Sequence, residues 1–249
     1  KGLGVVVSGH VAAEVEDQIA EAQEIINMGA DSYVFISNQF GAPEDSEEVV
    51  KERIEYLLSR IECDSFGIYE CPYPYKRVLT PKSTAYCADS GRFFFLKDTC
   101  CNLDQLKAKC EAVKGTALKI FNANGATLLE SMRMGVAGYS GVMANFHADM
   151  YAWLCDHFAD EDKQELVEQV MAYLGAASTI ECQVYPINAK YHMNLVGVPM
   201  TLVSRTKDPE LLTCGVPTSF NGEAFPSSKI MEIDQFYAVE QMMRKVFFG

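Results

Sequence analysis

A seven-residue stretch decides the fold of this chain: Phe93-Phe94-Phe95-Leu96-Lys97-Asp98-Thr99. Its four successive large apolar residues predict a strand that is buried on both faces, as in a parallel sheet covered by helices. Lys97 follows at the end of this strand. Burial would make its ammonium costly to desolvate and would favour the neutral, nucleophilic amine that a Schiff-base lysine needs. The alternative is a lysine that extends to water or pairs with Asp98.

Five further strands flank this one and alternate with amphipathic helices. The six predicted strands occupy residues 4–9, 32–37, 65–69, 93–97, 117–121 and 138–142. Two of the intervening helices have distinct starts, one at Thr80-Pro81 with a cap and a first-turn proline, and one at Asn102 as cap. Strands separated by one helix each are typical of βα units and a parallel sheet. The sequence therefore predicts an α/β fold with six βα units.

The pattern changes after Asp160. Residues 1–160 are predicted to form the parallel βα portion that carries the active site, and residues 161–249 a C-terminal helical module. Prolines at 199, 209, 217 and 226 mark turns between short helices of this module. No strand is predicted in it.

Composition restricts the partners. The net charge of -13 argues against nucleic acids and anionic membranes, which both reward clustered lysine and arginine, so the expected ligand is a small molecule. Nine cysteines without a regular framework fit reduced thiols in the cytoplasm. The four histidines lack metal-ligand spacing, and no glycine-rich nucleotide motif is present, so neither a metal nor a cofactor is predicted. No apolar run is long enough to span a bilayer.

Reactive groups in parallel α/β folds collect where strands end and βα loops begin. Lys97 is the candidate nucleophile. Tyr69, at the end of the preceding strand, is the candidate proton donor and acceptor, although a tyrosine at a core boundary is the alternative. Glu70 is suited to hold a substrate hydroxyl or to move a proton, or it lies in solvent. Asn124 precedes Gly125 in a predicted turn after the fifth strand.

Four short motifs occur in a characteristic order. These are Asn27-Met28-Gly29-Ala30-Asp31, Ile68-Tyr69-Glu70-Cys71-Pro72, Leu96-Lys97-Asp98-Thr99, and Met134 to Gly138 continuing to Asn145. In order and spacing they resemble the dihydrodipicolinate synthase / N-acetylneuraminate lyase family of class I, Schiff-base-forming enzymes. The resemblance covers most of the chain and implies a (β/α)8 TIM barrel, with six of eight βα units visible, and a C-terminal helical extension.

The resemblance also implies chemistry. Lys97 would form a Schiff base with pyruvate or a related 2-keto acid, and Tyr69 would relay protons during carbon–carbon bond cleavage or formation, or during dehydration. Ser140 and Ala123 would line the keto-acid pocket, with Asn124 beside them and Glu70 as a further substrate-binding group. The family commonly assembles into oligomers, so a homo-oligomer, a dimer or tetramer, is expected.

Three departures from the family pattern narrow this expectation. The family's first two βα units are absent, so we expect the chain to be an amino-terminally incomplete version of a longer protein. Asn38-Gln39-Phe40 replaces a Pro-Tyr-Tyr motif of the synthase branch. Glu70 replaces an asparagine, and an arginine that would bind a second carboxylate is replaced near Pro74. These changes favour an aldolase or dehydratase of another substrate. A non-catalytic barrel that binds a small metabolite or a partner is the alternative.

Overall fold

The computed structural model describes residues 4–9, 12–205, 207–208, 218–220, 223–225 and 229–249. Six strands are β1 (Val6–Val7), β2 (Ser32–Ile36), β3 (Phe66–Tyr69), β4 (Phe93–Asp98), β5 (Lys119–Asn122) and β6 (Gly138–Tyr139). The helices between them are α1 (Val15–Asn27), α2 (Glu47–Arg60), α3 (Pro81–Asp89), α4 (Leu103–Ala112) and α5 (Leu128–Arg133). Later elements are α6 (Ala144–His157), α7 (Gln164–Ala177), α8 (Ile187–Leu195), β7 (Thr218–Phe220), β8 (Glu223–Phe225) and α9 (Lys229–Phe248).

The six strands form one sheet in the order β1-β2-β3-β4-β5-β6, and every neighbouring pair is parallel. Consecutive strands that pair in chain order, with a helix between them, are the arrangement of a βα-barrel wall. The chain groups into two compact units, Lys1–Ser140 and Gly141–Gly249. This boundary precedes the predicted one at residue 160, so α6 belongs to the second unit.

The core of the first unit lies between the sheet and its helices. Phe35, Phe66 and Phe93 on β2, β3 and β4 are buried, with ring centroids 5.2 to 6.3 Å apart. Apolar side chains from α1 to α4 pack against them, among them Ile19, Ala22, Val50, Ile54, Leu57, Cys87 and Leu106. Burial of these large rings is the main force that holds each helix on the sheet.

Strand β4 differs from the prediction that it is buried on both faces. Phe66 pairs with Phe93, but the next residue of β3, Gly67, pairs with Phe95, so Phe94 is an extra residue at a bulge. Its side chain is 41% exposed. Because one extra residue reverses the alternation of side chains, Phe93 and Leu96 both face the helix-packed core, whereas Phe95 faces away from it. The bulge therefore turns the following Lys97 to the face opposite the helices.

Gly67 lies opposite this bulge in a space that no larger residue fits. A Cβ atom at Gly67 would lie 2.9 Å from Val34 Cγ2 and 3.0 Å from Phe95 Cδ1. Val34, Gly67 and Phe95 therefore meet on the face of the sheet away from the helices. This contact keeps β2, β3 and β4 close together just before their carboxyl ends.

The second unit is mainly helical and contains a buried polar network. Glu240 on α9 is fully buried and accepts hydrogen bonds from Arg244 Nε at 2.9 Å and Nη2 at 2.7 Å. His192 Nε2 on α8 lies 2.6 Å from Glu240 Oε2, and His147 Nε2 on α6 lies 3.9 Å from the same oxygen. Arg244 also forms an ion pair with Asp149 on α6. Three helices of this unit are thus joined at one carboxylate.

The prediction that the C-terminal module lacks strands was wrong. β7 and β8 form an antiparallel pair in which Thr218 lies opposite Phe225. In the sequence they are separated by Asn221-Gly222, the dipeptide that most favours a tight hairpin. The sequence therefore contains a local signal for this strand pair.

Candidate active site

Lys97 and Tyr69 lie side by side on neighbouring strands. The two residues are in direct register between β4 and β3, so their side chains leave the sheet on the same face. Lys97 Nζ lies 4.3 Å from the centroid of the Tyr69 ring, within the range of a cation–π contact. Both side chains are half-buried. The predicted nucleophile and the predicted proton relay are therefore brought together.

Apolar residues lie in register with Tyr69 and Lys97 on the two neighbouring strands. Ile36 on β2 pairs with Tyr69, and Phe121 on β5 pairs with Lys97. The Phe121 ring centroid lies 5.1 Å from that of Phe95, one step back along β4. The Lys97 side chain thus lies between the side chains of Tyr69 and Phe121.

On the opposite face of the sheet, directly behind this pair, lies a buried ionic cluster of Glu70, Lys109 and Asp98. Lys109 Nζ on α4 donates to Glu70 Oε1 at 2.6 Å and to Asp98 Oδ2 at 2.5 Å. All three side chains are essentially inaccessible to solvent. Because Glu70 follows Tyr69 and Asp98 follows Lys97, chain alternation places the cluster and the Lys97–Tyr69 pair on opposite faces.

Each Glu70 oxygen has a hydrogen-bond donor. Oε1 accepts from the Leu79 backbone N–H at 2.9 Å as well as from Lys109, and Oε2 accepts from the Thr99 N–H at 2.9 Å. Thr99 Oγ1 in turn donates to the Glu70 carbonyl at 2.7 Å. The sequence had assigned Glu70 to substrate binding, but this carboxylate is buried and fully bonded within the protein. Direct contact with a substrate stays a prediction, and the geometry favours a supporting role.

The three charges of the cluster influence one another. Burial raises the pKa of Glu70, Lys109 lowers it and the Asp98 carboxylate raises it, and the net shift is upward. Burial lowers the pKa of Lys109, but the two carboxylates raise it by more, so the net shift is upward and the amine stays protonated. A protonated Lys109 is what keeps two buried carboxylates compatible at 2.5 to 2.6 Å from one ammonium.

Sequence reasoning missed Lys109, although a signal was present. On α4 the buried residues are Leu106, Lys109 and Cys110, and the last two follow Leu106 at the helical spacings of three and four. A lysine on the apolar stripe of an amphipathic helix is unusual, because an unpaired ammonium is costly to bury. Its position indicates that a buried acidic partner lies opposite.

The remaining predicted residues lie at the carboxyl ends of β5 and β6. The Ser140 N–H donates to the Asn122 carbonyl at 2.9 Å, and the Ala123 N–H donates to the Asp98 carbonyl at 3.0 Å. Asn124 Oδ1 accepts from the Ala126 N–H at 2.9 Å and so starts a short 3-10 turn. Ser140, Ala123 and Asn124 are all half-buried at the same edge of the sheet as Lys97. Their assignment to a keto-acid pocket stays a prediction.

The loops that follow β2 and β3 are bonded to each other. Asn38 Nδ2 donates to the Tyr73 carbonyl at 2.8 Å, and the Tyr75 hydroxyl donates to the Asn38 carbonyl at 2.6 Å. A cavity of about 830 Å³ opens beside these loops, with Ile36, Asn38 and Tyr73 in its wall. Cavities of this size accommodate small organic ligands. Its wall includes Ile36 at the end of β2 and Cys71 just after β3, but neither Tyr69 nor Lys97.

Phe40 has a structural explanation in this loop. Its side chain is completely buried, and its ring centroid lies 5.6 Å from that of Phe35 in the core. A hydroxyl at this position would need a buried hydrogen-bond partner. Phe40 thus serves the core of its own chain rather than a proton relay.

The described part of the chain contains no group of three or more histidine, cysteine or acidic side chains arranged to hold a metal ion. Within the same residues, no helix is both long and apolar enough to cross a membrane. The seven cysteines whose side chains are described are all free thiols.

Comparisons with known proteins agree with this architecture. The model of the dihydrodipicolinate synthetase family matches residues 5–209. A monomeric dihydrodipicolinate synthase variant superposes with a TM-score of 0.75 at 15% identity, over 96% of this chain and 73% of that one. The dihydrodipicolinate synthase of Thermotoga maritima gives a TM-score of 0.73 at 15% identity, over 96% and 75% of the two chains.

A third solved structure was determined with a ligand. It is a prophage protein of the dihydrodipicolinic acid synthase family from E. coli K12, in complex with pyruvate, with a TM-score of 0.71 and 18% identity over 96% of this chain and 74% of that one. A comparison with curated protein sequences gives no match. At these identities the structural similarity establishes the fold, and it confirms the predicted βα-barrel architecture.

Proposed function

Because the chain belongs to the dihydrodipicolinate synthetase family, we propose that it is a Schiff-base lyase that acts on pyruvate or a related 2-keto acid through Lys97. Membership in the family supports pyruvate-dependent chemistry of this type. The observation that supports the choice of residue is the register of Lys97 with Tyr69, with Nζ 4.3 Å from the phenol ring.

The proposed reaction begins with attack of the neutral Lys97 amine on the keto carbon. The carbonyl oxygen takes up a proton to give a carbinolamine, which loses that oxygen as water when the lysine nitrogen forms the imine. Tyr69 donates and recovers the protons of these steps through its hydroxyl. The protonated imine then accepts the electron pair released when the neighbouring carbon loses a proton or a bonded carbon.

Substrate recognition is assigned to the carboxyl ends of β5 and β6 and to the cavity beside β2 and β3. Ser140, Ala123 and Asn124 are proposed to receive the keto acid, and the cavity of about 830 Å³ has space for a second reactant. The buried Phe40 supports a reaction other than that of the synthase branch, an aldol cleavage or formation or a dehydration. A homo-oligomeric assembly stays a prediction.

Reductive trapping tests this proposal directly. The protein is incubated with pyruvate and borohydride, and the stable adduct is located by peptide mass mapping. We expect the adduct on Lys97 and none in Lys97→Met. Lys119→Met is the matched control, because Lys119 lies on the adjacent strand β5 but is exposed. An adduct at another lysine, or equal labelling of Lys97→Met, would contradict the assignment.

The alternative function is a non-catalytic barrel that binds a metabolite or partner. Two observations motivate it. The Phe40 side chain is buried and has no hydroxyl, and both carboxylate oxygens of Glu70 accept hydrogen bonds from groups within the protein. If no 2-keto acid is trapped on Lys97, while the wild-type protein and Lys97→Met bind a metabolite equally well, this alternative replaces the lyase.

A further inference from the structure

We propose that Lys109 is a positioning residue of the Schiff-base site. Its ammonium, held between Glu70 and Asp98, joins the carboxyl ends of β3 and β4 from behind and so holds Tyr69 and Lys97 in register. This inference rests on the function proposed above and assigns a role to a buried lysine that has no place in the reaction itself.

The cluster is bonded to the backbone of both site strands. The Glu70 N–H donates to the Lys97 carbonyl at 3.2 Å, and the Thr99 N–H donates to Glu70 Oε2 at 2.9 Å. Asp98 Oδ1 accepts from the Cys100 N–H at 2.9 Å, which bends the chain immediately after β4. Any movement of the Lys109 partners is thus transmitted to the Lys97 carbonyl and to the residues that follow Lys97.

Only an ionised cluster satisfies this arrangement. Three donors, from Leu79, Lys109 and Thr99, point at the two oxygens of Glu70. An amide in place of the carboxylate would direct its NH₂ group at one of these donors in either orientation. The glutamate at this position therefore requires a cation behind it, and Lys109 supplies that cation.

Stability alone does not account for the cluster. A buried ion pair contributes little to the free energy of folding compared with apolar residues of the same size, because desolvation offsets the Coulomb attraction. What an apolar replacement would not provide is directional contact to the ends of two strands at once. The distinctive contribution of Lys109 is therefore geometric.

Single-turnover borohydride trapping at several pyruvate concentrations tests the role. We expect Lys109→Met and Glu70→Gln to lower the maximal rate constant of imine formation by about 10- to 100-fold, because small misplacements of reacting groups cost this much. The pyruvate concentration at half-saturation should stay near the wild-type value, since the cluster does not face the ligand. Lys107→Met is the matched control, as Lys107 is exposed on the same helix.

Circular dichroism and the urea midpoint are recorded for each variant, so that trapping is compared between folded proteins. Wild-type trapping rates in a folded Lys109→Met or Glu70→Gln overturn the positioning role and leave the proposed function intact. The role is also overturned if neither variant folds, because the cluster then acts on stability alone. Failure of the wild-type protein to form any keto-acid adduct overturns the proposed function first.

Discussion

His147 offers a sharp test of how burial controls charge in the second unit. Its imidazole is fully buried, and its Nε2 lies 3.1 Å from the Tyr173 hydroxyl. Burial lowers the pKa of His147 from 6.5 to about 4; Glu240 and Asp149 oppose this shift, and Arg244 and His192 add to it. We predict that His147→Gln weakens the dependence of unfolding free energy on pH below neutrality.

The sign and size follow from proton linkage. Between pH 6.5 and about 4 the unfolded chain binds a proton at this residue and the folded chain does not, so stability falls as the pH falls. At about 1.4 kcal/mol per pH unit, the total loss is about 3 kcal/mol. Between pH 7 and pH 5, His147 is expected to lower the free energy of unfolding by about 2 kcal/mol.

Urea unfolding followed by tryptophan fluorescence measures this contribution. Trp153 is the one tryptophan of the chain and lies on α6 with His147. Its ring centroid is 5.4 Å from that of Phe248 on α9, so its emission reports on packing between these helices. Between pH 7 and pH 5, the free energy of unfolding of the wild-type protein should fall by about 2 kcal/mol more than that of His147→Gln.

The control variant is His157→Gln. His157 lies on the same helix as His147, and its ring centroid lies 4.9 Å from that of Trp153, so this variant controls for the effect of a nearby ring on the fluorescence. Because it keeps the buried His147, it should lose more unfolding free energy than His147→Gln between pH 7 and pH 5. If His147→Gln keeps the wild-type dependence of unfolding free energy on pH, burial does not hold the His147 ring neutral, and the reasoning is refuted.

Two further predictions concern the first unit. Phe93→Ala should lower the free energy of unfolding by about 3 to 5 kcal/mol because it leaves a cavity in the aromatic core, whereas Phe94→Ala should cost about 1 kcal/mol or less. Equal losses in urea unfolding would contradict the bulge assigned to β4. Tyr69→Phe keeps the ring beside the candidate nucleophile but removes the hydroxyl, so trapping with pyruvate should slow by about 100-fold or more. An unchanged trapping rate would exclude Tyr69 as the proton relay.

Much of the fold was predictable because local signals agree with the tertiary structure. Apolar runs located the six parallel strands, although Val6 of β1 is exposed rather than buried. The caps were also confirmed: Thr80 Oγ1 accepts from the Ser83 N–H at 3.1 Å, and Asn102 Oδ1 accepts from the Gln105 N–H at 2.9 Å. The proximity of Lys97 and Tyr69 followed from the rule that carboxyl ends of neighbouring parallel strands meet at one edge.

Other features depend on pairings that a single segment does not specify. The bulge at Phe94 arises from the register of β4 against β3, so four successive apolar residues gave no indication of which would be exposed. The partners of Lys109 come from the ends of two different strands. For the same reason, the sequence presented Glu70 as a group open to substrate, whereas tertiary packing encloses it.

The extra residue in β4 has a consequence for how this strand tolerates change. Phe93, at the start of the strand, contributes to the core, and Lys97, near its end, is the candidate nucleophile. The alternation of side chains between the two faces of the sheet is reversed from one part of the strand to the other. The number of residues between Phe93 and Lys97, rather than their chemical identity, therefore determines on which side of the sheet the amine emerges. Loops of the chain can accept insertions and deletions at small cost in stability. In this strand, inserting or deleting one residue before Lys97 would move Lys97 to the helix-packed face and Asp98 to the opposite face.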